Sequence, residues 1–118
     1  MFSLTSSMRY YLYRHPTDMR KSFDSLCGII SSQMGSDPMS GDVYIFINRR
    51  RNKIKLLHWE QGGLVLYYKR LERGTIELPE KGNDQKHQAI QWTTLMMMVE
   101  GIGLSHIQHR KRYSYQHT

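Results

Sequence analysis

The densest run of chemistry-bearing side chains is Asn48-Arg49-Arg50-Arg51-Asn52-Lys53, with Lys55 close behind. A guanidinium is a planar fork of donors that meets two phosphate oxygens at once, and a two-stranded ribbon fits a major groove. The same charges also keep an exposed hairpin tip from pairing with other chains, so a solvated turn is the competing reading. Lys69, Arg70 and Arg73 surround Leu71-Glu72. Either they extend the basic surface or Glu72 neutralises a neighbour locally. Arg110-Lys111-Arg112, followed by Tyr113 and Tyr115, interleaves cations with rings that could grip phosphates and stack on bases; a mobile tail has the same composition.

Other chemistries find less support. Two-metal catalysis needs several carboxylates converging on one site, whereas Asp18, Asp24, Asp37, Asp42, Glu60 and Glu72 each have a plain capping, turn or ion-pair role. No serine stands in a G-x-S-x-G elbow, and no glycine-rich phosphate loop is present. His106, His109 and His117 lack the carboxylate or thiolate partners that metal sites usually show at defined spacing. His58 lies within a strand and reads as a packed or half-exposed side chain. Cys27 falls on an apolar helical stripe, where thiols are inert packing residues. These residues lead us to expect no enzyme activity, no metal and no cofactor.

Several elements must position the basic groups. Arg9–Arg14, with three tyrosines, suits a short strand, broken by His15-Pro16. Thr17 or Asp18 can cap a helix over Met19–Met34, in which Met19, Phe23, Leu26, Cys27, Ile30 and Met34 form one apolar stripe. Gly35 and Asp37-Pro38 stop it. Val43–Asn48, Ile54–Glu60 and Leu64–Arg70 are β-branched and aromatic, and their short connectors favour antiparallel hairpins. A short fourth strand is expected around Ile76 and Leu78, and a second helix from Gln88 to Val99 ending at Gly101 and Gly103. The fold class is α+β: a small antiparallel β-meander of three to four strands packed against one or two amphipathic helices. Ile45, Leu57 and Leu66 should lie in its core, with Phe23, Leu26 and Ile30 facing the sheet. In a meander the basic tip and the Lys69–Arg73 group share one end. Residues 1–103 form a single expected domain, and 104–118 a basic, mobile tail.

The bulk properties agree. The chain has 118 residues, a formal net charge of +7 and 39% hydrophobic residues, with a mean hydropathy of −0.61. A balance this basic points to a polyanionic partner, nucleic acid or an acidic protein surface. One cysteine allows no internal disulfide, in keeping with a reducing cytoplasm. No signal-peptide h-region or membrane-length apolar run is visible, so a cytoplasmic protein without a membrane partner is expected.

Thr17-Asp18-Met19-Arg20-Lys21-Ser22-Phe23-Asp24-Ser25-Leu26 resembles the opening signature of the TnpB accessory proteins of the IS-sixty-six family of bacterial insertion sequences. Asp37-Pro38, Ser40-Gly41, Val43-Tyr44-Ile45-Phe46, the turn Asn48–Arg51, Ile54-Lys55-Leu56-Leu57, Trp59-Glu60 and Gly63 continue the resemblance in order. The block Lys69-Arg70-Leu71-Glu72-Arg73-Gly74, Pro79 and Glu100-Gly101-Ile102 complete it. The resemblance covers about residues 8–103. It implies a non-catalytic protein that assists a separate, larger transposase in DNA transposition, and it adds weight to Arg20, Lys21, Arg49, Arg50, Lys69, Arg70 and Arg73. The expected nucleic-acid-binding set is therefore Arg20, Lys21, Arg49, Arg50, Arg51, Lys53, Lys55, Lys69, Arg70 and Arg73. In the alternative, the protein is an adaptor without DNA contact, docking the transposase or another copy of itself through Tyr44, Trp59, Tyr67 and Tyr68; homo-oligomerisation stays open.

Overall fold

The computed structural model describes residues 4–81 and 87–101. Within them lie five strands and two helices: β1 (Tyr10–Tyr13), α1 (Phe23–Ser32), β2 (Val43–Ile47), β3 (Lys53–Glu60), β4 (Gly63–Arg70), β5 (His87–Ile90) and α2 (Trp92–Glu100). The fold is α+β, with a mixed sheet of order β4-β3-β2-β1-β5. The expected meander is its β2–β3–β4 half, all antiparallel. The other half adds β1, parallel to β2, and β5, antiparallel to β1. Parallel neighbours need a long crossover, and the segment carrying α1 supplies it.

Side chains alternate between the two sheet faces, and both are covered. Val43, Ile45, Ile47, Ile54, Leu56, Tyr10 and Leu12 form one core with Leu95 and Met98 of α2 and with Ile76. Tyr44, Phe46 and Leu57 form the other with Leu26, Ile30 and Met34. All five residues of β2 are buried, as a central strand covered on both faces requires. Ile45 and Leu57 are fully buried, on opposite faces, and Leu66 packs partly buried beside Leu57.

Several elements differ from the sequence expectations. Helix α1 begins at Phe23, not Met19, with Ser22 as N-cap. Its N–H donates to Ser25 Oγ at 3.0 Å, and Thr17 and Asp18 belong to the turn before it. Phe23, expected in the core, is 41% exposed because it opens the helix on its outer side. Ile76 and Leu78 form no strand. Residues 71–78 bend at 72–74 and run beside the tip without strand pairing, with Ile76 N–H donating to Arg51 O at 2.6 Å and the Ile76 side chain buried. His87–Ile90, read as the start of a helix, is β5; α2 starts at Trp92 and ends on Gly101 with φ 74°. The expected basic tail, residues 104–118, lies outside the described residues.

Candidate nucleic-acid interface

The tip between β2 and β3 is built by its asparagines. Asn48 Oδ1 accepts the N–H groups of Asn52 (3.0 Å) and Lys53 (2.9 Å), and Asn48 Nδ2 donates to Asn52 Oδ1 at 2.7 Å. Short amide side chains close turns in this way. Arg51 takes a left-handed conformation, φ 56°. With the turn held by its flanks, Arg49, Arg50 and Arg51 all stand exposed.

Pairing brings further cations to the same end. Lys53 is opposite Arg70, and Leu71 N–H donates to Asn52 O at 2.7 Å, which lays the Arg70–Arg73 segment beside the tip as expected. Because β1 runs parallel to β2, its C-terminal end lies there too, with Arg14 and His15. The pairing continues past β1, Thr17 N–H donating to Ile47 O at 2.8 Å, so the turn bearing Arg20 and Lys21 joins the group. The expected set omitted Arg14 and His15, and the signal available was the strand–helix–strand spacing that parallel pairing needs.

Individual cations differ in availability. Arg20 is engaged with Asp18: Nε lies 3.1 and 3.0 Å from the two carboxylate oxygens and a terminal nitrogen 2.7 Å from one of them. That hydrogen bonding lowers the Asp18 carboxyl to about 2, although Arg20 remains 90% exposed. Arg70 pairs with Glu72 at 2.9 Å, the local neutralisation weighed for that cluster. Lys69 Nζ donates to Val99 O at 2.8 Å, a favourable position for a cation at the C-terminal end of α2. Arg14 donates to Pro79 O (2.9 Å) and Gln88 Oε1 (2.6 Å), and burial, aided by the Arg51 charge, lowers its pKa.

Lys55 is misplaced in the expected set. It is 5% exposed, within the α1-side face. Its ammonium donates to Met19 O (2.8 Å) and Lys21 O (2.6 Å) and lies 4.6 Å from the Tyr68 ring centroid. Lys55 thus staples the turn before α1 onto the sheet and offers nothing to a ligand; burial lowers its pKa.

Two hollows flank this arrangement. The larger, about 550 Å³, lies between the turn before α1 and the tip, with Asp18, Arg20, Arg49, Arg50, Lys53 and Tyr68 in its wall. The smaller, about 260 Å³, includes Arg14, His15 and Arg51.

The four aromatics of the expected docking surface do not form one exposed patch: Tyr44 and Tyr67 lie on opposite faces of the sheet, and Trp59 is half-buried. Tyr44 is 1% exposed, with its hydroxyl donating to Asp37 O at 3.0 Å, and Tyr67 packs against the α2-side core. Tyr68 is half exposed, but in the basic cleft. His58 is buried, with Nε2 3.7 Å from Glu60. Cys27 packs against the α1-side core, and burial raises its thiol pKa. Among the described residues no three His, Cys, Asp or Glu side chains gather around a common metal position, and no helix is long and apolar enough to cross a membrane. His106, His109, His117 and Arg110-Lys111-Arg112 lie outside the described residues.

The chain has relatives among known proteins. Two uncharacterized proteins of Sinorhizobium fredii (strain NBRC 101917 / NGR234) are similar along most of their length. One, y4jC, is 24% identical over 97 residues, 82% of this chain and 83% of its own. The other, y4hO, is 29% identical over 103 residues, 86% of this chain and 87% of its own. No solved structure matches. The profile of the family described as IS66 Orf2 like protein matches residues 8–109, so the chain belongs to the IS66 Orf2-like family of insertion-sequence proteins.

Proposed function

We propose that the protein is a non-catalytic accessory factor of insertion-sequence transposition that holds DNA through phosphate contacts at the basic end of its sheet and so assists a separate transposase. The observation that carries this reading is convergence. The ends of β1, β2 and β4, the start of β3 and the turn before α1 bring Arg14, Arg20, Lys21, Arg49, Arg50, Arg51, Lys53 and Arg73 to one end of the molecule. Three of them, on the asparagine-closed tip, have no side-chain role in closing the turn. Cations that outnumber the carboxylates beside them, here Asp18 and Glu72, attract a polyanion at long range and release its counterions on contact.

The test is duplex binding across a salt series with the full chain. Neutralising about four phosphates makes affinity fall roughly a hundredfold between about 50 and 200 mM salt. Replacing Arg49, Arg50 and Arg51 with alanine should weaken binding and flatten that dependence, since alanine leaves the asparagine closure intact. Equal affinity and slope in the triple variant would sink the proposal. The adaptor reading has lost its aromatic surface, and a nuclease-resistant complex with the transposase, without DNA affinity, would restore it.

A further inference from the structure

We infer that the cleft between the turn before α1 and the β2–β3 tip holds one unpaired nucleotide of a DNA strand, its base stacked on Tyr68 and its phosphate held by Arg49, Arg50 and Lys53. This rests on the DNA-binding reading and gives it a ligand form. Tyr68 lies in the edge strand β4, opposite Lys55 in register. The Lys55 ammonium, itself fixed by two backbone carbonyls, sits 4.6 Å from the ring centroid and braces the phenol from within the protein. Tyr68 remains 50% exposed, and it forms part of the cleft wall.

A single half-exposed tyrosine is ordinary at a surface, but this one lines a cleft, and its neighbours there select what it can stack on. Arg49, Arg50 and Lys53 line the same cleft as the ring. Asp18 and Arg20 also line it but neutralise each other, so the anion grip falls to the three cations of the tip. A flat apolar face beside a cationic group complements a nucleotide, whose base is a π-surface and whose phosphate is an anion. Its volume, about 550 Å³, lies in the range of roughly 300–1,000 Å³ usual for small-ligand sites. A duplex keeps its base faces stacked inside and offers a concave site only phosphates. A ring at the wall therefore selects a base that is unpaired or turned out of the helix.

The experiment compares a fluorescent oligothymidine with a duplex of equal length, by anisotropy, for the full chain and for Tyr68→Phe and Tyr68→Leu. The strand should bind, Tyr68→Leu should weaken it roughly tenfold or more, and duplex affinity should stay within about twofold. Tyr68→Phe should bind the strand like the parent, because stacking needs the ring and not the hydroxyl. A strand carrying 2-aminopurine should lose fluorescence on binding the parent, which needs no variant to fold. Duplex binding with no strand binding, or a Tyr68→Leu loss equal for both ligands, or no quenching at saturation, would overturn the inference while leaving duplex binding intact. No affinity for either DNA would remove both proposals together.

Discussion

Lys55 sits opposite Phe46, between strands whose faces are both covered. In sequence it stands in Ile54-Lys55-Leu56-Leu57 and reads as a cation pointing to water. That reading assumes an outer face, and at this position the sheet has none. Its acceptors, the carbonyls of Met19 and Lys21, come from a turn far away in sequence, so no local pattern signals them. Arg49, Arg50, Arg51 and Lys53 were legible as a basic tip because turn chemistry is local. Arg14 and His15 were signalled only indirectly, by the strand–helix–strand spacing, and the cleft position of Tyr68 not at all, since tertiary pairing brings them together. Replacing Lys55 with methionine keeps most of the volume and strands the two carbonyls. An unsatisfied buried polar group costs about 1–3 kcal/mol, so the urea midpoint should fall accordingly. An unchanged midpoint would mean that water replaces the ammonium at no cost.

At the scale of elements, the antiparallel half was readable because β-branched and aromatic runs joined by short connectors leave little choice. The other half was obscured by competing local signals. Asp18 O accepts the Lys21 N–H at 3.0 Å and Asp18 Oδ1 the Arg20 N–H at 2.9 Å. These bonds close a turn, and the Met19 carbonyl is already engaged by Lys55, so the helix waits until Phe23. His87–Ile90 carries no strong strand signature and is extended because β1 pairs with it. The end of α2 was legible in Gly101. There φ is positive, and an added Cβ would lie 3.2 and 3.3 Å from the two Leu71 methyl carbons. Gly101→Ala should therefore destabilise by about 1–2 kcal/mol, the cost of left-handed backbone for a residue with a Cβ. A thermal melt checks this; an unshifted midpoint would mean that α2 does not hold its end against Leu71.

For the molecule as a whole, placement of charge matters more than the total of +7. Arg9 lies at the far end of the sheet, beside Asp42 at 3.5 Å. Arg50 lies on the tip. Both are exposed cations, and removing either changes the net charge equally. Arg50→Ala should reduce the slope of log affinity against log salt by about one, whereas Arg9→Ala should leave it unchanged. Equal effects would mean a diffuse field with no defined contact end. The order of the strands also has a consequence in time. β1, near the start of the described chain, is enclosed between β2 and β5, and β5 comes after every other strand. The β2–β4 hairpins need only neighbouring segments, which close quickly, whereas β1–β5 closes a loop spanning most of the chain. During synthesis the hairpins can form as soon as they emerge, but one side of β1 must wait for β5, and the Tyr10 and Leu12 surface for α2. A nascent chain stalled before Trp92 therefore keeps that apolar surface open to aggregation and to chaperones.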